Sequence, residues 1–177
     1  LYCGYFDRQK PDGTMSLGIK NVKELVQTLK HENETLLDPN APLAGWGLDP
    51  IYFDDKALDR KILDEVSDQR PIGILHASGH KLNINSVGLK LAGFLRTGIN
   101  HEGLPLGEDG LPSGEIRGAE TIALVTRHVG LGKDWLSGDA EGLRNFGKIC
   151  ARAGVTTAAD LEKHQTDEAV EIMIKVT

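Results

Sequence analysis

The chain has 177 residues, a formal net charge of −6, 40% hydrophobic residues, only 5% aromatic residues and 21 glycines, which suits one globular domain with room for a piece of a second. No apolar run approaches the roughly 20 residues that cross a bilayer, no basic segment followed by an apolar one opens the chain, and 20 basic against 26 acidic residues without a block of Lys or Arg leave no footprint for a phosphate backbone. A membrane span, a secretory leader and a nucleic-acid partner are therefore not expected. Two cysteines, Cys3 and Cys150, are too few for a disulfide framework and too far apart for a metal knuckle, which fits a reducing, cytoplasmic setting.

In chain order, Leu1-Tyr2-Cys3-Gly4-Tyr5-Phe6 reads as the middle of a folded segment rather than a polar leader that frays. Residues 1–20 carry turn formers, Pro11-Asp12-Gly13 foremost, and predict loop with one short strand. Val22, Leu25, Val26 and Leu29 then fall at helical spacing behind Asn21, and Glu24 three residues on completes a capping pattern. A Pro/Asn/Asp connector from Leu36 to Pro42 leads to a short strand, Leu43 to Gly47, that must end near Asp49-Pro50. Leu58, Ile62, Leu63 and Val66 mark a second helix, and Pro71-Ile72-Gly73-Ile74-Leu75 a buried strand.

After Leu82 and Ile84, Ser86 is the expected N-cap of a helix through Val87, Leu89, Leu91 and Ala92, closed by Gly93. The Gly-rich stretch 97–118, with Asp109-Gly110 and Pro112-Ser113-Gly114, has hairpin and loop chemistry. Helices are expected from Ala119 to Val129 and from Ala140 to Ala153, ended by Gly130 and Gly154. Val155 to Asp160 then reads as a strand and Asp167 to Ile172 as a helix. The mixed order argues for an α+β fold: a small antiparallel sheet with packed helices, plus one terminal βα unit over the last 35 residues. That unit would leave an unpaired strand edge, so the tail is expected to be mobile or paired with another molecule.

The densest polar cluster is His76-Ala77-Ser78-Gly79-His80 with Asn83 and Asn85. Two imidazoles four apart would share a helix face and could hold a metal. Here His76 continues an apolar strand and Ser78-Gly79 demands a turn, so that register is missing, and His76 is read as a strand-end histidine bonded to backbone. His80, just past a strand end in a Gly-bounded turn, is the candidate for substrate contact. Gly130-Leu131-Gly132 lacks the preceding strand and third glycine of a dinucleotide fingerprint, and Ser78 and Ser113 lack the context of a nucleophile elbow. Asp54-Asp55 reads as a helix start, and Trp46 and Trp135 as core or interface aromatics. From the residues alone no complete active site is visible.

Three stretches in this order carry a resemblance: Gly45-Trp46-Gly47-Leu48-Asp49-Pro50; Asp64 to Pro71 leading into Ser78-Gly79-His80-Lys81-Leu82-Asn83-Ile84-Asn85-Ser86; and Asp109-Gly110-Leu111-Pro112-Ser113-Gly114-Glu115. Together with Ala92-Gly93 and Gly154-Val155-Thr156-Thr157, they resemble the amidohydrolase superfamily, in its large-insert, metal-dependent branch similar to N-substituted formamide deformylases. The match covers roughly residues 40–160 and lies in order and spacing rather than in one motif. Several members of the resembled family carry a Glu shortly after the hairpin, where this chain has Gly118, although Glu120 lies nearby.

The resemblance implies that residues 1–140 are an α+β insert beside a (β/α)₈ barrel and that residues 141–177 begin the return to it. A whole barrel needs about 250 residues, so this chain would be a fragment, inactive alone. The intact enzyme would use a divalent metal, zinc in the first instance, to hydrolyse a small amide-type substrate at a C–N bond outside peptides. Its His-x-His would precede Leu1 and its other ligands would follow Thr177, so the fragment would bind no metal and supply no catalytic group. His80, Asn85 and Trp46 are then the residues expected to face the substrate pocket or support its wall. The rival from another class is a self-contained, non-catalytic domain for ligand binding or protein interaction.

Overall fold

The computed structural model describes residues 1–53, 57–132, 140–159 and 166–176. In chain order the elements are β1 (Arg8–Gln9), β2 (Met15–Ser16), α1 (Val22–Thr35), β3 (Leu43–Leu48), α2 (Arg60–Asp64), β4 (Ile72–His76), β5 (Lys81–Ile84), α3 (Ser86–Leu91), β6 (Glu115–Arg117), α4 (Ala119–Val125), α5 (Ala140–Arg152) and α6 (Asp167–Val176). They form two compact units, one of residues 1–6 and 18–132, the other of residues 7–17 with 140–159 and 166–176. The class is α+β, as the sequence predicts. No helix among the described residues is long and apolar enough to cross a membrane.

The first unit is built on a four-stranded sheet in the order β3-β4-β5-β6. The pairs β4/β5 and β5/β6 are antiparallel, but β3/β4 is parallel, because the segment joining them carries α2 and returns the chain to the same end. Leu1 to Cys3 adds a further parallel edge outside β3: Cys3 N donates to Trp46 O at 2.7 Å and Trp46 N to Leu1 O at 3.0 Å. Gly45 makes that edge possible, since a Cβ there would stand 2.7 Å from Cys3 Sγ. Gly47, at φ +92°, carries the irregularity that shifts the β3 register between Trp46 and Leu48.

Strand alternation divides the side chains into two sets. On one face Ile72 and Ile74 of β4 join Leu25 and Leu29 of α1, Leu43 and Leu63 in a buried cluster. On the other, Leu82, Ile84 and Ile116 pack with Leu89, Ile122, Val125, Val129 and Leu131. His76, Lys81, Asn83, Glu115 and Arg117 continue the first set by register, because Ile74 pairs with Asn83, Asn83 with Glu115 and Lys81 with Arg117. The sheet is therefore apolar on both faces near the start of β4 and polar on one face near its end.

Helix ends follow the sequence pattern with one shift. Asn21 Oδ1 accepts from Glu24 N at 2.8 Å, and the Glu24 carboxylate accepts from Lys20 N at 2.9 Å. Asn85, not Ser86, caps α3: its Oδ1 accepts from Gly88 N at 2.9 Å, while Ser86 turns its hydroxyl to Asp64 Oδ2 at 2.6 Å. The carboxamide wins because the same oxygen also takes Ile72 N at 3.0 Å, leaving neither backbone donor unpaired.

In the second unit, β1 and β2 form a hairpin around Pro11-Asp12-Gly13, where Asp12 Oδ1 accepts from both Thr14 N and Thr14 Oγ. Helix α5 ends before Gly154 at φ +72°, and α6 runs on to Val176. The strand expected at Val155 to Asp160 does not form over 155–159: these residues are exposed and have no partner strand among the described residues. β-branched Val155, Thr156 and Thr157 supply propensity only, which does not make a strand without pairing. Asp54-Asp55 and Trp135 lie outside the described residues.

Asn85→Ala removes an N-cap and strips partners from three buried backbone groups and the half-buried Ser67 O, so unfolding in urea is expected to require at least about 3 kcal/mol less. Asn21→Ala, at a partly exposed cap, is expected to cost about 1 kcal/mol. A separate check uses the thiols: Cys3 is fully buried and desolvation pushes its pKa up to about 12, whereas Cys150 is half-buried. A thiol reagent at neutral pH should modify Cys150 alone in the native chain and both cysteines in denaturant.

Candidate functional site

The polar end of the sheet opens into a cleft with two lobes of about 260 and 270 Å³ that share Leu48, Pro50, His76 and Lys81. Asp49, Ile51 and Ser78 complete the outer lobe. Phe53, Leu58, Asn83 and Glu115 are among the residues completing the inner one. The cleft exists because β4 and β5 run past the end of the apolar cluster, so side chains that would otherwise face α1 and α2 meet open space instead.

His76 is the centre of this wall and is only 5% exposed. Asn83 Nδ2 donates to Leu58 O at 2.7 Å, which turns Asn83 Oδ1 toward the imidazole, 2.5 Å from Nε2. Nε2 therefore carries the proton and donates it, and in the neutral ring Nδ1 keeps its lone pair. Nδ1 has no hydrogen-bond partner among the described residues, yet no buried side-chain nitrogen or oxygen there lacks one, so Nδ1 is reached from the cleft. Burial lowers the His76 pKa below its usual value, against the upward pull of the Asn83 hydrogen bond and of Glu115.

Glu115 is bonded to Arg117 Nε at 2.5 Å and lies 3.5 Å from Lys81 Nζ. Burial alone would raise its pKa, but the two cations outweigh that and hold it below the usual carboxylate value. Lys81 is about half exposed and points its ammonium along the same wall.

The three residues singled out from the sequence are not brought together. His80 is exposed in the β4–β5 turn; its backbone N donates to Ser78 Oγ at 3.3 Å and its carbonyl accepts from Gly118 N at 3.1 Å. Gly118 has φ +82°, which explains why a Glu is not accommodated there at low cost. Asn85 is fully buried, with Nδ2 donating to Ser67 O and Arg70 O at 2.9 and 2.8 Å, so no hydrogen-bonding capacity is left for a ligand. It stands as support. Trp46 pairs with Leu75 on the face of the sheet away from the cleft and packs its ring against Tyr2, centroids 5.3 Å apart.

The sequence predicts a backbone partner for His76; its partner is the Asn83 side chain instead. The signal was present in part, since His76 continues the in-phase series Ile72, Ile74 along β4. Glu115 and Arg117 enter only through pairing of β5 with β6 across some thirty residues, which periodicity does not reveal.

The other motif residues build the scaffold behind the strands that line the cleft. Arg70, 5% exposed, donates to Asn33 Oδ1 at 2.7 Å, to Asp38 O at 2.7 Å, to Leu36 O at 3.2 Å and to Ala41 O, closing the connector between α1 and β3. Arg60, 8% exposed, ties α2 to the hairpin through Pro112 O at 3.0 Å and Asp109, and to Ser86 Oγ at 3.1 Å. Asp64 accepts from Ser86 N at 2.8 Å.

No protein-family profile matches the chain, and no curated protein matches it. Among solved structures, an uncharacterized metal-dependent hydrolase from Pyrococcus horikoshii OT3 aligns with 90% of this chain at 15% identity and a TM-score of 0.47. Another from Pyrococcus furiosus aligns with 75% at 16% identity and a TM-score of 0.44. The chain spans 29% and 23% of the lengths of those two proteins.

The lowered His76 pKa has a sign that can be tested. Above the ordinary value of about 6.5 the ring is neutral folded and unfolded; below it the unfolded chain takes up a proton that the buried ring resists, so stability falls with pH. The urea midpoint is expected to drop between about pH 7 and pH 5, above the range where the lowered carboxyls of Asp12, Asp109 and Glu115 titrate. His76→Gln should flatten that drop, leaving the slope set by His128, whose pKa is also lowered by burial.

Proposed function

We propose that this chain is part of a metal-dependent hydrolase acting on a small amide-type substrate at a C–N bond outside peptides. In this proposal residues 1–140 are an α+β insert that walls the substrate pocket and residues 141–177 lead back toward a barrel. One observation supports it above the others. The residues that carry the sequence resemblance, Arg70, Asn85, Asp64, Asp109 and the glycines of Gly45-Trp46-Gly47, build the scaffold of the strands whose far ends line the cleft.

The residues present do not fit a divalent ion. Among the described residues no three His, Cys, Asp or Glu side chains converge, His76 Nε2 is committed to Asn83, and Glu115 is committed to two cations. In the proposed enzyme the ion is therefore held by other residues, and no chemical step is assigned through it. What this chain contributes is a wall: a neutral imidazole and an ammonium on an apolar surface, with water partly displaced by Leu48, Phe53 and Leu58. His80, on the rim turn, is proposed to touch substrate.

The full-length natural protein is expected to hydrolyse secondary amides, and His80→Ala to lower kcat/KM at least about tenfold, a loss of about 1.4 kcal/mol. The 177-residue chain alone should be inactive and hold no stoichiometric zinc. An unchanged His80→Ala enzyme, or tight zinc in the chain alone, overturns the proposal. The second reading, a self-contained ligand-binding domain, is favoured by the first unit having its own buried core and cleft. It would be upheld by a natural protein that has no hydrolytic activity and coincides with this chain.

A further inference from the structure

The two lobes of the cleft carry opposite charge. In the outer lobe Asp49 Oδ1 accepts from Ile51 N at 3.2 Å, and the carboxylate forms no ion pair among the described residues. It stands close enough to His76 to pull that ring's pKa upward. At the inner lobe Lys81 and Arg117 both turn to one oxygen of Glu115, Oε1, at 3.5 and 2.5 Å. Two cations against one carboxylate leave that corner with a positive charge in excess. Glu115 Oε2 stays open, but an ammonium placed there would meet the repulsion of both cations.

The open hydrogen-bonding groups follow the same division. His76 Nδ1, an acceptor in the neutral ring, lines the outer lobe together with Asp49. Asn83 Nδ2 gives one proton to Leu58 O and keeps a second, and Lys81 Nζ has protons beyond the one turned to Glu115. An uncharged ligand would leave both ends of the cleft unmatched. A simple anion or cation would match one end and lose hydration beside the other.

Sheet order sets how far apart those ends are. Asp49 directly follows β3, Lys81 and Asn83 belong to β5, and β4 with His76 lies between them. Neighbouring strands are about 4.8 Å apart, so the backbones carrying the two ends are separated by about 10 Å. An ammonium next to its carboxylate, as in an α-amino acid, serves one end at a time, whereas the same two groups joined by a few methylenes serve both. Leu48 and Pro50 belong to both lobes, so methylenes crossing from one to the other stay on apolar surface.

We infer that the cleft is a binding site for a short ω-amino acid, whose ammonium is held by Asp49 and His76 Nδ1 and whose carboxylate is held by Lys81 and Asn83 Nδ2, with its methylenes over Leu48. The site gives a ligand to the second reading, a ligand-binding domain, and rests on that reading only for its place in the whole protein. Hydrolysis of an amide is neither required nor used.

The test titrates 5-aminopentanoate into the isotopically labelled 177-residue chain and follows the Asp49 carboxyl, the Asn83 carboxamide and the His76 ring nitrogens by chemical shift. Saturable binding in the millimolar range is expected, with all three sites moving along one curve. Norvaline, the isomer with its charges adjacent, pentanoate, pentylamine and δ-valerolactam, the cyclic amide of the same acid, should each bind about tenfold more weakly. Asp49→Asn keeps an acceptor for Ile51 N and removes the charge, and should bring 5-aminopentanoate down to the affinity of pentanoate. Lys81→Met, at a half-exposed position, should bring it down to that of pentylamine.

Norvaline or δ-valerolactam binding as tightly as 5-aminopentanoate, no saturation, or full affinity in either variant overturns the inference and leaves amide hydrolysis by the full-length protein untouched. Binding of 5-aminopentanoate by the chain, within a full-length protein that hydrolyses amides, would uphold the site and retire only the self-contained domain.

Discussion

The fold turns on the carboxamide of Asn85. Its oxygen takes Ile72 N and Gly88 N, and its nitrogen gives to Ser67 O and Arg70 O, so one fully buried side chain joins the start of β4, the cap of α3 and the turn after α2. A side chain that satisfies four backbone groups away from water is hard to replace, because any substitute leaves several of them unpaired in a low-dielectric interior. The start of β4 is thereby pinned. The strand then has a fixed length before its polar end, and His76 emerges at one place on the sheet.

Two buried guanidinium groups extend that constraint outward. Arg70 gathers the carbonyls of Leu36, Asp38 and Ala41, and Arg60 gathers Pro112 O, Ser86 Oγ and Asp109. Arg70, bonded mostly to carbonyls, contributes shape more than net stability, since desolvating the charge offsets much of the gain. Its planar fork with five donors fixes loop geometry that an ammonium could not. Gly114, at φ +96° with Arg60 N and Ile84 O within 3 Å of where a Cβ would stand, lets the hairpin lie against α2. The Asp-Gly-x-Pro-x-Gly segment is thus a piece of the scaffold under the cleft.

This division of labour decides what was legible in the sequence. Elements with local causes could be read: α1 from its apolar spacing and the Asn21/Glu24 cap, β4 from its β-branched run, α5 from its Gly154 stop. Val155 to Ala159 misled because its propensity is real and its partner is not. The choice of Asn85 over Ser86 as cap depended on Ile72 N, thirteen residues away, competing for the same oxygen. The candidate site was less legible still. His80 stands out in sequence by its turn, while His76 ends an apolar strand, and its polar surroundings depend on Asn83 and Glu115 arriving beside it through β5 and β6.

The conspicuous motifs are the ones that hold the chain in shape, and the polar groups lining the cleft occupy ordinary strand positions. That separation has a physical reason. A motif of Gly, Pro, Asp and Arg stands out because backbone conformation and buried polar bonding tolerate few alternatives. A binding wall needs only that an imidazole and an ammonium project from a strand end, and many sequences satisfy that. Here the hydrogen bond from Nε2 to Asn83 fixes which face of the imidazole is donor and which is acceptor, and Asn83 can do so because Leu58 O fixes the amide in turn. The polarity of the imidazole in the cleft is therefore set by a backbone carbonyl just before α2, transmitted through Asn83 to His76.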